Sequence, residues 1–247
     1  MKSSLAFPIT SASGSCTNCR GRNLCLAGNA TPDEQEVVDA LRGRIRNIPS
    51  GGCVFHTGEK FRALYAVRQG WLKLVSLSED GSEHVLGFAL PGALLGLDAI
   101  AGDRHIVEAR ALEDAQVCQL MFGELEVLGG TCPSLMRRVM RSFSEELVRE
   151  QAAMLVLGSL RASRKVAAFL LDLIEKLDRL GLVTHEVCLR MSREDIGSYL
   201  GLTLETVSRT FSAMHRHGVL EVHQKRLLIH DLQKLRRLAG RSMEQET

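Results

Sequence analysis

The sequence predicts an α+β protein: a β-rich N-terminal half, one long helix, and a C-terminal segment of short helices followed by a hairpin. Three observations carry this. Between about Ile48 and Leu120, glycine recurs at positions 51, 52, 58, 70, 81, 87, 92, 96 and 102, and the runs between are rich in strand formers. Many short strands between turns suggest a compact antiparallel barrel or sandwich. From Pro133 to about Leu160 apolar residues recur at helical steps, and beyond Met191 two short capped segments flank a glycine-containing turn.

The 247 residues suit two modest domains better than one. Hydrophobic residues make up 45% and charged residues 24%, which argues against wholesale disorder, collagen or a pure coiled coil. No apolar run approaches the roughly 20 residues needed to span a bilayer. The apolar patch Leu5–Ile9, broken by Pro8, is too short for a signal-peptide core, so a cytoplasmic location is expected. The net charge of +2 hides an asymmetry: residues 1–150 carry 16 Lys and Arg against 18 Asp and Glu, residues 151–247 carry 15 against 11. That C-terminal excess is compatible with a polyanionic partner but modest.

Residues 1–30 are rich in Ser, Gly, Asn and Cys without apolar periodicity and form a cysteine-rich arm. Such a segment cannot offset its ordering entropy unaided. The β domain is expected over 31–132. It opens at Thr31-Pro-Asp-Glu with a short helix containing Val37, Val38 and Leu41, then runs through strands at Leu64–Val67, Trp71–Leu77, His84–Phe88 and Val117–Met121, with a hairpin turn at Glu79-Asp80-Gly81. The helix at 133–160 carries Leu135, Val139, Phe143, Leu147, Met154 and Leu157 at steps of three, four or seven, with Glu150 interrupting the stripe. This stripe either packs on its own domain or forms a homodimer seam comprising Met140, Phe143, Leu147, Glu150, Met154 and Leu157. Two facing Glu150 carboxylates would make that seam marginal and therefore switchable.

Residues 161–247 begin with a helix at Ser163–Leu180. Ser192 then caps a short helix that ends at Gly201, Thr203 caps a second running to Gly218, and Leu220–Val222 with Leu227–Ile229 form a hairpin around Gln224-Lys225-Arg226. Capped helix, turn, capped helix and wing in that order make a winged helix-turn-helix, so DNA is the expected partner. Val207, Phe211 and Met214 should face inward. Glu205, Thr206, Ser208 and Arg209 should face out toward base edges, with Arg able to donate twice to guanine and Glu to accept from cytosine. Thr203, Arg193, Lys225 and Arg226 are candidates for phosphate contacts.

Cys16-Thr-Asn-Cys19-Arg-Gly-Arg-Asn-Leu-Cys25 reads C-x2-C-x5-C. Three thiolates on one loop can wrap a single centre, and four-cysteine sites suit tetrahedral zinc or an iron–sulfur cluster. Arg20 and Arg22 favour the thiolate form. Spacing alone does not separate zinc from iron–sulfur, nor choose the fourth ligand among Cys53, Cys118, Cys132 and Cys188.

These motifs resemble the FNR (fumarate and nitrate reductase regulator) group of the cyclic-AMP-receptor superfamily of bacterial transcription factors. The likeness runs from about Cys16 to Gly240. It rests on the cysteine loop, a further cysteine in Ala115-Gln-Val-Cys118 placed 93 positions after Cys25, Gly92-Ala-Leu-Leu-Gly-Leu-Asp-Ala-Ile, and Glu205-Thr-Val-Ser-Arg209. The resemblance implies an N-terminal β-roll (jelly-roll-like) sensory domain, a long dimerisation helix and a C-terminal winged helix-turn-helix. It implies a [4Fe-4S] cluster on Cys16, Cys19, Cys25 and Cys118 that promotes a homodimer on DNA without oxygen, and its conversion and DNA release in air. It also implies that Leu24 shields the cluster, that an acidic residue at Glu150 tunes dimerisation, and that loops such as Glu79-Asp80-Gly81 touch RNA polymerase. Cys53, Cys132 and Cys188 match no ligand and are expected to be small buried hydrophobes. The chain departs from the family pattern at Arg20 and Arg22, whose charge would tune the cluster. Leu204, where cyclic-AMP receptors carry Arg, favours a palindrome of TTGAT-type half-sites.

Rival readings are weaker. A cyclic-nucleotide regulator needs an Arg-Ser pair and an upstream Glu, and His105-Ile-Val-Glu-Ala-Arg110 with Gly92-Ala-Leu offers Glu108 where a phosphate would sit. A haem sensor could use His84 but leaves the cysteine loop unexplained. A zinc-stapled regulator without a sensing role remains. An enzyme is not expected: no G-x-G-x-x-G, no βαβ pattern after Cys16-Thr-Asn-Cys19 and no convincing nucleophile–base pair are present.

Overall fold

The computed structural model describes residues 16, 19, 21, 24–25, 31, 42–78, 80–159, 161–182 and 186–240. The helix expected from Thr31 and the side chains of Arg20 and Arg22 lie outside them.

Two sheets form the N-terminal domain. Strands β1 (Arg42–Ile48), β2 (Ala63–Gln69), β5 (Leu94–Leu95) and β7 (Ala115–Met121) make one, in the order β1-β7-β2-β5. Strands β3 (Leu72–Leu77), β4 (Glu83–Ala89) and β6 (Glu108–Ala111) make the other, in the order β4-β3-β6. All their pairings are antiparallel. The apolar core they share holds Phe55, Tyr65, Val67, Leu72, Ala109 and Val117.

Strand β2 is buried along Ala63–Val67, because its two faces serve different cores. Ala63, Tyr65 and Val67 point into the shared core, whereas Leu64 and Ala66 point outward into a second apolar cluster. The same pleat operates in β7: Ala115 and Val117 face the shared core, Cys118 and Leu120 the outer cluster. Helices α1 (Phe122–Thr131) and α2 (Pro133–Ser159) cover that outer face with Leu125, Met136, Val139 and Phe143. Pro133 opens α2, where a missing N–H costs nothing.

The C-terminal domain comprises α3 (Ala162–Arg179), β8 (Glu186–Cys188), α4 (Arg193–Leu200), α5 (Leu204–Arg216), β9 (Leu220–His223), β10 (Arg226–Ile229) and α6 (Leu232–Ala239), with a small sheet in the order β8-β10-β9. Its core gathers Leu170, Leu171, Ile196, Leu200, Val207, Phe211, Met214, Leu227 and Leu235, and it also takes in Trp71 and Leu90 from the β domain.

The two domains therefore share packing, and polar bonds reinforce it. Lys73 Nζ lies 2.7 Å from Asp195 Oδ1, Arg190 Nε 3.1 Å from Glu113 Oε2, and the Val85 amide donates to Ser198 Oγ at 2.9 Å. Phe88, Phe169 and Tyr199 form a trio of rings with centroids 5.5–5.9 Å apart. Offset or edge-on geometry of this kind adds to simple area burial.

Candidate nucleic-acid interface and cysteine centre

Helices α4 and α5 form the helix-turn-helix. Ser192 and Asp195 make a reciprocal capping box, the Asp195 amide donating to Ser192 Oγ at 2.9 Å and the Ser192 amide to Asp195 Oδ2 at 2.8 Å. Burial would raise the Asp195 carboxyl, but the Lys73 ammonium and the Ser192 amide and hydroxyl outweigh it and hold it below the ordinary carboxylate value. The turn between the helices is tight. A Cβ on Gly197 would lie 2.6 Å from the Leu202 carbonyl oxygen, so only glycine lets the chain fold back here. The Lys165 ammonium donates to the Leu200 carbonyl at 3.1 Å, a cation at the C-terminal end of α4.

Helix α5 buries Val207, Phe211 and Met214, as the sequence predicts. Its opposite side presents Glu205 and Arg209, both exposed and paired at 2.6 Å, with Thr206 and Ser208 half-buried beside them. Thr203 Oγ1 caps the helix by accepting from the Thr206 amide at 3.2 Å, and the two hydroxyls lie 2.8 Å apart. Leu204 is exposed at the first turn. Arg193 has a structural contact that spacing did not reveal. Its guanidinium stacks on the Phe211 ring at 3.9 Å and reaches the Gln224 carbonyl of the wing turn at 3.4 Å. Burial pushes its pKa down. The wing is the β9–β10 hairpin, with Lys225 and Arg226 exposed at its turn.

Around the cysteines, Cys118 is buried on the outer face of β7, and Cys16 and Cys25, both half-buried, pack against the same apolar cluster. Cys19 is half-buried, and its amide donates to the Cys16 carbonyl at 3.2 Å, closing a short turn. The arm meets the β domain backbone to backbone. A Cβ on Gly21 would lie 2.6 Å from the Gly92 amide nitrogen, and one on Gly92 would lie 2.5 Å from Leu24 Cβ. Val139 and Phe143 of α2 belong to the cluster around Cys118.

The α2 stripe divides. Val139 and Phe143 turn inward, whereas Met140, Leu147 and Met154, seven residues apart, are 60%, 56% and 69% exposed. Phe143 thus packs on its own domain rather than lying wholly in a seam. The side chains of Leu135, Glu150 and Leu157 lie outside the described residues. The β3–β4 hairpin exposes Asp80 and Gly81, and Glu79 is also outside the described set.

Cys53 is not a buried hydrophobe. It is half-buried beside the Glu108 carboxylate and Arg110 guanidinium, and burial together with Glu108 pushes its thiol up. Cys132 lies partly buried against the outer cluster and Cys188 partly buried in β8. Glu108 is buried and bonded to His56 and Arg110.

Residues 164–238 match the family of Crp-like helix-turn-helix domains, and residues 45–128 match the cyclic nucleotide-binding domain family. The chain is 36% identical over 225 residues to the anaerobic regulatory protein of Aggregatibacter actinomycetemcomitans, spanning 91% of this chain and 88% of that one. It is 36% identical over 229 residues to the fumarate and nitrate reduction regulatory protein of Vibrio cholerae, spanning 93% and 92%. Among solved structures, FixK2 from Bradyrhizobium japonicum superposes with a TM-score of 0.73 at 32% identity, over 79% of this chain and 96% of that one. With a DNA-binding helix-turn-helix joined to a β domain of this kind, the chain belongs to the FNR-type family of transcription regulators within the cyclic-AMP-receptor superfamily.

Proposed function

We propose that this regulator is oxygen-responsive, with Cys16, Cys19, Cys25 and Cys118 holding a [4Fe-4S] cluster that favours a homodimer bound to a TTGAT-type palindrome. The observation that carries the reading is the shared packing of Cys16 and Cys25 with Cys118 and with Val139 and Phe143 of α2. The donor set fits: soft thiolates in a partly buried, apolar setting suit an iron–sulfur centre. When bound, such a cluster supplies an oxygen-labile cross-link among four thiolates.

The chain's own residues then connect that link to DNA. Cys118 fixes the arm to β7, on the face where α2 lies. The arm seats on the Gly92 turn, so Leu24 comes beside Cys25 on the side toward the β domain. Residues 136, 139 and 143 pack α2 against the same cluster, and their packing orients the outward stripe of Met140, Leu147 and Met154. A second copy meeting that stripe forms the dimer seam, in which Glu150 is the tuning charge. Two recognition helices are then set on half-sites of one palindrome, with Glu205, Ser208 and Arg209 toward the bases.

The test is the iron, acid-labile sulfide and zinc content of anaerobically purified protein, with absorbance followed as air enters. About four irons and four sulfides per chain, an air-sensitive spectrum and anaerobic binding to a TTGAT…ATCAA duplex are expected. Stoichiometric zinc with no response to air overturns the sensor and leaves a zinc-stapled DNA-binding regulator.

A further inference from the structure

We infer that Cys53, His56 and Glu108 form a separate zinc-class cation site in the β domain. Their ligand atoms (Sγ, an imidazole nitrogen and a carboxylate oxygen) lie within 4.8 Å of one another, the one such grouping among the described residues. None of the three belongs to the apolar cluster around Cys16, Cys25 and Cys118.

The backbone brings them together. The Val54 amide donates to the Ala109 carbonyl at 2.8 Å and the Ala111 amide to the Gly52 carbonyl at 2.9 Å, so residues 52–55 run as an irregular extra strand along β6. Cys53 bridges Arg110 across this pairing, and residues 108 and 110 share a face of β6. His56 follows the extra strand and places Nδ1 2.7 Å from Glu108 Oε2.

The two oxygens of Glu108 have divided roles. Oε1 accepts from Arg110 Nε at 2.8 Å and lies 2.6 Å from Arg110 Nη2, whereas Oε2 meets His56. Arg110 is also held by Glu83, at 2.7 Å and 3.1 Å. Glu83 also lies 4.0 Å from Lys73 Nζ, so its charge is shared between two cations, while Glu108 Oε2 faces His56 and the Cys53 thiol. A cation between Oε2, Nδ1 and Sγ leaves the Arg110 bonds to Glu108 Oε1 and Glu83 intact, and Arg110 becomes the group that orients the ligating carboxylate.

Mixed sulfur, nitrogen and oxygen donors select zinc over magnesium or calcium. With zinc–ligand bonds of about 2.0–2.3 Å, donors sit roughly 3.3–3.8 Å apart, so shifts of under about one ångström close the site. On binding, the thiol proton is released to water. The His56 N–H moves to Nε2, where the largely exposed ring can donate to solvent. The exposed side of His56 leaves the fourth position to water.

The experiment uses the full chain with Cys16, Cys19 and Cys25 changed to Ser, so its outcome is independent of the iron–sulfur reading. Zinc affinity is measured against a chromophoric chelator, and cobalt(II) is added separately. One zinc per chain and a thiolate-to-cobalt charge-transfer band are expected. Cys53→Ser or Glu108→Gln should abolish the band or weaken zinc binding at least tenfold, and Cys188→Ser should leave both unchanged. His56→Ala, at an exposed position, should weaken zinc at least tenfold. Absence of the band, or zinc affinity unmoved by His56→Ala, overturns the site.

Discussion

Replacing Lys73 with Met would test whether the β domain and the helix-turn-helix are joined by an ion pair that matters. The Lys73 and Asp195 side chains are 14% and 15% exposed and lie 2.7 Å apart. Exposed pairs are worth about 0–1 kcal/mol, whereas breaking a fully buried one costs about 3–5 kcal/mol. Here both groups retain a little water, and the abandoned Asp195 keeps its bonds to the Ser192 amide and hydroxyl, each 2.8 Å. A loss of about 1–3 kcal/mol follows, between those limits. Urea unfolding of wild type, Lys73→Met, Asp195→Asn and the double variant gives the coupling directly. The pH dependence has a definite sign. Because Asp195 titrates below its unfolded value, the unfolded chain binds more protons as pH falls. The contribution is complete above about pH 4 and disappears as pH drops through the lower native value. Lys73→Met should flatten that part of the profile. Coupling below about 0.5 kcal/mol, or an unchanged acid limb, would refute the clamp.

Arg209→Ala should weaken binding to a consensus duplex by about 1–3 kcal/mol through loss of a bidentate guanine contact, and equal affinity in a fluorescence titration would remove Arg209 from base readout. Gly197→Ala forces a Cβ against the Leu202 carbonyl oxygen at 2.6 Å and should cost about 1–3 kcal/mol, because backbone rather than a flexible side chain must yield. Unfolding at wild-type denaturant concentration would show that the turn can open without penalty. Met140→Glu with Met154→Glu should leave the chain folded yet monomeric in anaerobic sedimentation, since both side chains are exposed in the single chain. A persistent dimer would place the seam elsewhere.

The helix-turn-helix was legible because its signals are local. Ser192, Gly201 and Thr203 are caps whose preferences come from the backbone groups beside them. Strand β1, Arg-Gly-Arg-Ile-Arg-Asn-Ile, was missed because it carries charges rather than apolar alternation, and its register shifts between Arg42 and Ile45. Helix α1 contains three glycines and two β-branched residues in ten, so its propensity is poor and its form depends on burying Leu125 against the outer cluster. Helix α6 did have signals, an Asp231 cap and Gly240 past its end, but it spans only eight residues. The Lys73–Asp195 pair joins positions 122 residues apart, and nothing in either neighbourhood announces the other. Cys53 was misread for the same reason: its polar neighbours come from β6, more than fifty positions away.

The seat of the arm on the Gly92 turn bears on how the cysteine loop could fail. Gly21 and Gly92 approach so closely that main chain touches main chain, with Leu24 Cβ the first atom a side chain at Gly92 would meet. A methyl group at either position would collide with the facing segment and push the loop off the Gly92 turn. All four thiols would still be present, yet Cys16 and Cys25 would no longer share the apolar ground around Cys118. The seating of the cysteine loop therefore depends on two residues that bear no sulfur, no charge and no side chain at all.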